Sequence, residues 1–68
     1  MSNLSVVLST YNEAENIQAT IEKLLTKNSV KEIIIVDDNS TDGTINIINN
    51  IKNDKVFLHI RKNTKGFA

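Results

Sequence analysis

The chain has 68 residues, neither cysteine nor proline, and 8 basic against 8 acidic side chains, for a formal net charge of zero. That size supports one small domain that buries only about 60% of its unfolded surface, and the missing cysteines exclude disulfides and thiolate metal sites. Neutrality argues against a nucleic-acid binder driven by phosphate neutralisation. No apolar run is long enough to cross a bilayer, and the polar start Met1-Ser2-Asn3 leads straight into a strand pattern without a signal peptide.

A cytosolic, reducing setting fits these features. Asn and Ile are frequent, which reads as a nucleotide-composition bias of the source genome and lowers the weight of any single Asn. The basic residues Lys52, Lys55, Arg61, Lys62 and Lys65 gather in the last third, where a solvated face explains them more simply than a phosphate patch.

In chain order the expected elements are strand, helix, strand, helix, strand. Residues 4–9 are apolar and β-prone with little alternation, as for a strand covered on both faces. Asn12 and Glu15 have capping-box spacing. Ala14, Ile17, Ile21, Leu24 and Leu25 follow at helical spacing, and Lys27-Asn28 suits the helix end. Residues 32–37 form the second strand, whose central Ile33-Ile34-Ile35-Val36 is entirely β-branched, as in the middle of a parallel sheet.

Thr41 or Asp42 caps a second helix with Gly43 in its first turn and with Ile45, Ile48 and Ile51 as its apolar stripe. Ile47 widens that stripe, while Asn46, Asn49 and Asn50 weaken the helix. Asn53-Asp54 marks a turn. Residues 55–60 form a third strand, residues 62–66 a loop, and Phe67-Ala68 opens another element. Two successive β-α-β crossovers give an α/β fold: a parallel three-stranded sheet with right-handed connections and flanking helices. Both sheet edges stay open, which invites further strands or a second copy of the chain.

The polar residues gather where the first two strands end, the edge at which open α/β sheets bind ligands. Asp37 and Asp38 close the second strand. Because side chains alternate along a strand, one carboxylate is expected to face the helix packing and the other the cleft. The cleft-facing acid has the chemistry to accept a hydrogen bond from a ring N–H or a ribose hydroxyl; capping of the next loop is the plainer alternative. Tyr11 either stacks on a base or packs on the sheet edge. Glu15 reads as a capping acid and Glu13 as free to reach a ligand. His59, the lone histidine, has no second metal-ligating neighbour in sequence. There is no Ser-His-Asp set and no Gly-rich phosphate loop, and Lys65-Gly66 is a weak phosphate signal.

Two blocks carry a resemblance. Val6-Val7-Leu8-Ser9-Thr10-Tyr11-Asn12-Glu13-Ala14-Glu15-Asn16-Ile17 and Ile34-Ile35-Val36-Asp37-Asp38-Asn39-Ser40-Thr41-Asp42-Gly43-Thr44 are similar to the amino-terminal part of family 2 glycosyltransferases with the GT-A fold. Within that family they resemble polyprenol-phosphate (dolichol-phosphate) mannosyl- and glucosyltransferases. The tail Arg61-Lys62-Asn63-Thr64-Lys65-Gly66-Phe67-Ala68 resembles the basic segment after the third strand, so the likeness spans nearly the whole chain. Many lipid-linked members have proline where Ser9 stands.

The resemblance implies that residues 1–68 are the first half of a GT-A, Rossmann-like domain that binds a GDP- or UDP-sugar. It implies that Ser9, Tyr11 and Glu13 contact base or ribose, together with Val36 and Asp38, and that Asp38 reads the base. Arg61 and Gly66 fall where phosphate contacts are expected. Mg or Mn is expected for a full-length enzyme, but the family's metal-binding Asp-x-Asp, catalytic base and acceptor site come later in sequence, so no metal ligand or catalytic residue is assigned here. The parent reaction implied is sugar transfer to an acceptor such as polyprenol phosphate, in the cytoplasm or at the cytoplasmic face of a membrane. The chain alone is expected to lack transferase activity. A non-catalytic module that self-associates through its open sheet edges is the alternative, and a receiver-like or flavodoxin-like fragment is a more distant one.

Overall fold

A computed structural model describes residues 3–62. The elements are β1 (Leu4–Thr10), α1 (Ile17–Leu25), β2 (Val30–Asp37), α2 (Thr44–Asn49) and β3 (Val56–Ile60). The sheet is parallel and its order is β1-β2-β3, with the β-branched run of β2 in the centre. Leu8 registers with Ile35 and Ile35 with Leu58, and the rungs from Val6–Ile33–Val56 to Thr10–Asp37–Ile60 cross all three strands. The expected strand–helix–strand–helix–strand order and the parallel α/β sheet are the ones observed.

Two crossovers of one hand that step in the same direction across a sheet place their helices on the same face. The core has that form. Ile17 and Ile21 of α1 and Ile48 of α2 join Val30, Ile33 and Ile35 of β2 in a single buried cluster, flanked by Val6, Leu8, Val56 and Leu58. The helix α2 has only six residues, too few for stability of its own, and relies on burying Ile48. Its preceding residue Gly43 has φ of +99°, and the position of a Cβ there is empty space, so backbone conformation selects glycine rather than crowding.

The other face of the sheet is open, which corrects the expectation that β1 is covered on both faces. Val7 is 64% exposed and Phe57 51% exposed, and both register with Ile34 on that face. The near-continuous apolar character of β1 is thus divided: Val6 and Leu8 are packed against the core while Val7 faces outward. Association through this face, where it occurs, is expected to fall when Phe57 is replaced with lysine, without loss of fold, because the side chain lies outside the core. Sedimentation across a concentration series checks this; equal association of wild type and Phe57→Lys contradicts it.

A second correction concerns the start of α1. The helix begins at Ile17 with Asn16 as N-cap and no side-chain cap, so the Asn12–Glu15 box does not form. Asn12 instead adopts the left-handed conformation, φ 52°, which asparagine tolerates. Its side chain reaches across to the other block. The free N–H groups ahead of the helix find other acceptors: Asn16 and Ile17 donate to the Glu13 carbonyl.

Candidate functional site

The carboxyl ends of β1 and β2 carry the two polar blocks, and the ladder continues into them. The Asp38 N–H donates to the Thr10 carbonyl at 3.0 Å, and the Arg61 N–H donates to the Asp37 carbonyl at 2.7 Å. Strand alternation then separates the paired acids. Asp37 registers with Thr10 and Ile60 and is fully buried on the helix side, whereas the Asp38 side chain remains 41% exposed. This is the division expected of adjacent acids on a strand.

Asp37 is saturated by donors. The Thr10 hydroxyl (2.6 Å) and the Ser40 hydroxyl (2.7 Å) both donate to Oδ1, and the Ser40 N–H donates to Oδ2 at 2.7 Å. Burial pushes its carboxyl up, but the three hydrogen bonds outweigh burial and the nearby Asp42 charge, and hold it below the ordinary value of 3.8. Asp42 is held low as well. The Thr44 hydroxyl is the main cause; desolvation pushes the carboxyl up, and N–H donors from Ala14 and Thr44 add to the lowering.

Both groups are depressed in the folded state, so their stabilisation is full above the unfolded carboxylate value and fades as pH falls through the folded values. The urea midpoint is therefore expected to hold from neutral pH to about 5 and to drop below about pH 4. A midpoint that rises on acidification through that range contradicts the arrangement.

These acids join the two blocks. The Asn12 N–H donates to the Ser40 hydroxyl at 2.8 Å, and the Thr41 N–H returns a bond to Asn12 Oδ1 at 2.9 Å. The Glu13 N–H donates to the Thr44 hydroxyl at 2.9 Å, whose own proton goes to Asp42 Oδ1. The Ala14 N–H donates to Asp42 Oδ2 at 3.1 Å. Asp42 also accepts from the Thr44 N–H at 3.0 Å, so it does serve the start of α2, although Gly43 occupies the N-cap position.

The expected nucleotide residues fall around this clasp. Ser9 and Val36 are register partners at the carboxyl end, on the open face, and His59 is the third member of that rung. Tyr11 is exposed and flanks Asn12 on one side, with Glu13, also exposed, on the other. Arg61 lies against Asp38: its Nε is 2.9 Å from Oδ1. That oxygen is closed to water and has no aligned hydrogen bond, so the ion pair is what it has, and the accessible part of the carboxylate lies away from it. Gly66 lies outside the described residues.

Sequence reasoning gave no role to Thr10, Ser40 or Thr44. The available signal was hydroxyl residues beside acids at two strand ends, since a hydroxyl both donates and accepts. A shallow depression of about 290 Å³ lined by Ser40, Thr41, Gly43, Ile45 and Asn46 flanks the second block but includes none of the expected nucleotide residues.

A divalent cation does not fit what is present. Among the described residues no three His, Cys, Asp or Glu side chains group to hold a metal; Asp37 is taken up by three donors and Asp38 is paired with Arg61. Among the same residues no helix is long and apolar enough to cross a membrane.

Comparison with known proteins gives the chain's family. Residues 5–68 match the family described as glycosyl transferase family 2. The chain is 39% identical over its whole length to the Escherichia coli UDP-Glc:alpha-D-GlcNAc-diphosphoundecaprenol beta-1,3-glucosyltransferase WfaP, of which it covers 28%. Over 93% of its length it is 38% identical to the poly-beta-1,6-N-acetyl-D-glucosamine synthase of Staphylococcus aureus strain COL, of which it covers 16%. The chain thus spans under a third of either relative, and the likeness is not specific to polyprenol-phosphate transferases. No solved structure matches it. With a family match that takes in both strand-end blocks, the chain belongs to glycosyltransferase family 2.

Proposed function

We propose that the chain forms the base-and-ribose part of the donor site of a glycosyltransferase that uses a UDP-sugar. The observation that carries this reading is the joining of the two strand-end blocks into one rigid rim, with Asp38 half-exposed on it. Asp38 accepts the ring N–H through its accessible oxygen while Arg61 holds Oδ1. Tyr11 offers a face for stacking, and Ser9, Glu13 and Val36 complete the pocket wall. UDP is favoured over GDP because the Escherichia coli relative carries UDP-Glc in its name. Arg61 and Gly66 remain the proposed phosphate contacts.

In the parent reaction the bond between the sugar's anomeric carbon and the diphosphate breaks, and a new one forms to an acceptor oxygen. The acceptor proposed is lipid-linked, a polyprenol phosphate or diphosphate carrier, which places the reaction at the cytoplasmic face of a membrane. Residues 1–68 are read as the first part of a GT-A domain, with the metal-binding and catalytic residues supplied by other parts of the enzyme. The chain alone is inactive on this reading. Turnover of UDP-glucose or GDP-mannose by the isolated chain overturns it, and titration with UDP tests the binding claim.

A second reading, self-association, rests on the open sheet face with Val7 and Phe57 and on the outer edges of β1 and β3, which have no strand partner among the described residues. Sedimentation of the wild-type chain across a concentration series decides it, a strict monomer throughout overturning it, and Phe57→Lys tests the face in particular. Both readings hold together if the chain binds UDP and also associates.

A further inference from the structure

A buried carboxylate that touches no ligand still controls a site if it fixes the groups that do. Asp37 is inaccessible to solvent and faces the helices, so it cannot contact a nucleotide on the rim. The hydrogen bonds of its carboxylate run between the two blocks or within the second: Thr10 comes from the end of β1, and Ser40 from the loop after β2. The Ser40 hydroxyl is a relay. It gives its proton to Asp37 and uses its lone pair to accept the Asn12 N–H. Orientation follows from this, because a hydroxyl whose proton is engaged by a carboxylate presents only its acceptor side to the backbone.

Asn12 closes the loop by accepting the Thr41 N–H. Tyr11 precedes Asn12, and Asp38 follows Asp37, so the circuit Asp37–Ser40–Asn12–Thr41 spans the two residues assigned to the base.

We propose that Asp37 is a positioning residue of the nucleotide site. Acting through the Ser40 hydroxyl, it locks the Tyr11 loop to the Asp38 loop before any ligand arrives. The proposal rests on the donor-site reading above. Its consequence is pre-organisation: a ligand meeting a fixed rim loses less free energy to ordering loops than one that must assemble the rim. Thr44 and Asp42 repeat the device one residue further on, at Glu13 and Ala14.

The test uses the full chain and UDP as the probe. Amide hydrogen exchange is read by NMR without ligand, and UDP affinity is read by titration. Asp37→Asn and Ser40→Ala are expected to raise exchange at Asn12 and Thr41 and to weaken UDP by about tenfold or more, the scale of losing a hydrogen bond to a charged group. Protection in the centre of β2 stays, and Ser40→Thr, which keeps the hydroxyl, restores both readouts. If Asp37→Asn fails to fold, Ser40→Ala decides, since it leaves Asp37 with the Thr10 hydroxyl and the residue-40 N–H. UDP binding by wild type with unchanged affinity in Ser40→Ala overturns the positioning role alone. No binding of UDP by wild type overturns the donor-site reading and the positioning role with it.

Discussion

Ile35→Ala is expected to leave the chain largely unfolded at 37 °C. Ile35 is fully buried in the middle of the central strand, between register partners Leu8 and Leu58 and beneath both helices. Truncating a buried isoleucine to alanine costs about 2–5 kcal/mol, from lost transfer energy and the cavity left behind. A domain of this size has in all about 3–10 kcal/mol of stability, so one side chain removes a large share. A shift of about 4–8 °C in Tm accompanies each kcal/mol in so small a domain, and the expected fall is therefore at least about 8 °C. Val7→Ala is the contrast: same strand layer, opposite face, and 64% exposed. It is expected to change stability by less than about 0.5 kcal/mol. Thermal unfolding followed by circular dichroism compares the two. Equal losses contradict a core built on one face of the sheet.

Asp38→Ala is expected to weaken UDP binding by about 10- to 100-fold, the effect of removing a charged acceptor from a hydrogen bond worth about 1.5–3 kcal/mol. The fold survives the change. The Asp38–Arg61 pair is substantially exposed, 41% and 54% for the two side chains, and such pairs contribute less than about 1 kcal/mol. Loss of binding is therefore separable from loss of structure. Asp54→Ala, in the exposed turn before β3, is the matched control and is expected to bind as wild type does. Equal effects of the two substitutions remove Asp38 from the base-reading role.

The fold was legible because its strongest signals are local. The run Ile33-Ile34-Ile35-Val36 is β-branched throughout and favours a central strand, and Ile17, Ile21, Leu24 and Leu25 mark one helix face. The one-sided covering of the sheet was not legible, because it follows from strand order and crossover hand rather than from any residue in β1. Val6 and Val7 look alike in sequence and end on opposite faces.

The capping box failed for a related reason. Asn12 and Glu15 have the right spacing, but the Asn12 side chain finds its partner in Thr41, 29 residues away, and a long-range acceptor role overrides the local motif. At the site, alternation made it readable that one of the paired acids is buried and the other exposed, while burial of Asp37 in particular is seen only in the structure. The Arg61 contact and the hydroxyl relays were not, since each joins residues that only the parallel register brings together.

The most direct measurement is an amide NMR titration of the chain with UDP, with GDP in parallel. The account predicts saturable shifts centred on Tyr11, Glu13 and Asp38, with Arg61 moving as its partner is engaged, and tighter binding of UDP than of GDP. A well-dispersed spectrum that UDP leaves unmoved at millimolar concentration contradicts a pre-formed donor site in this chain.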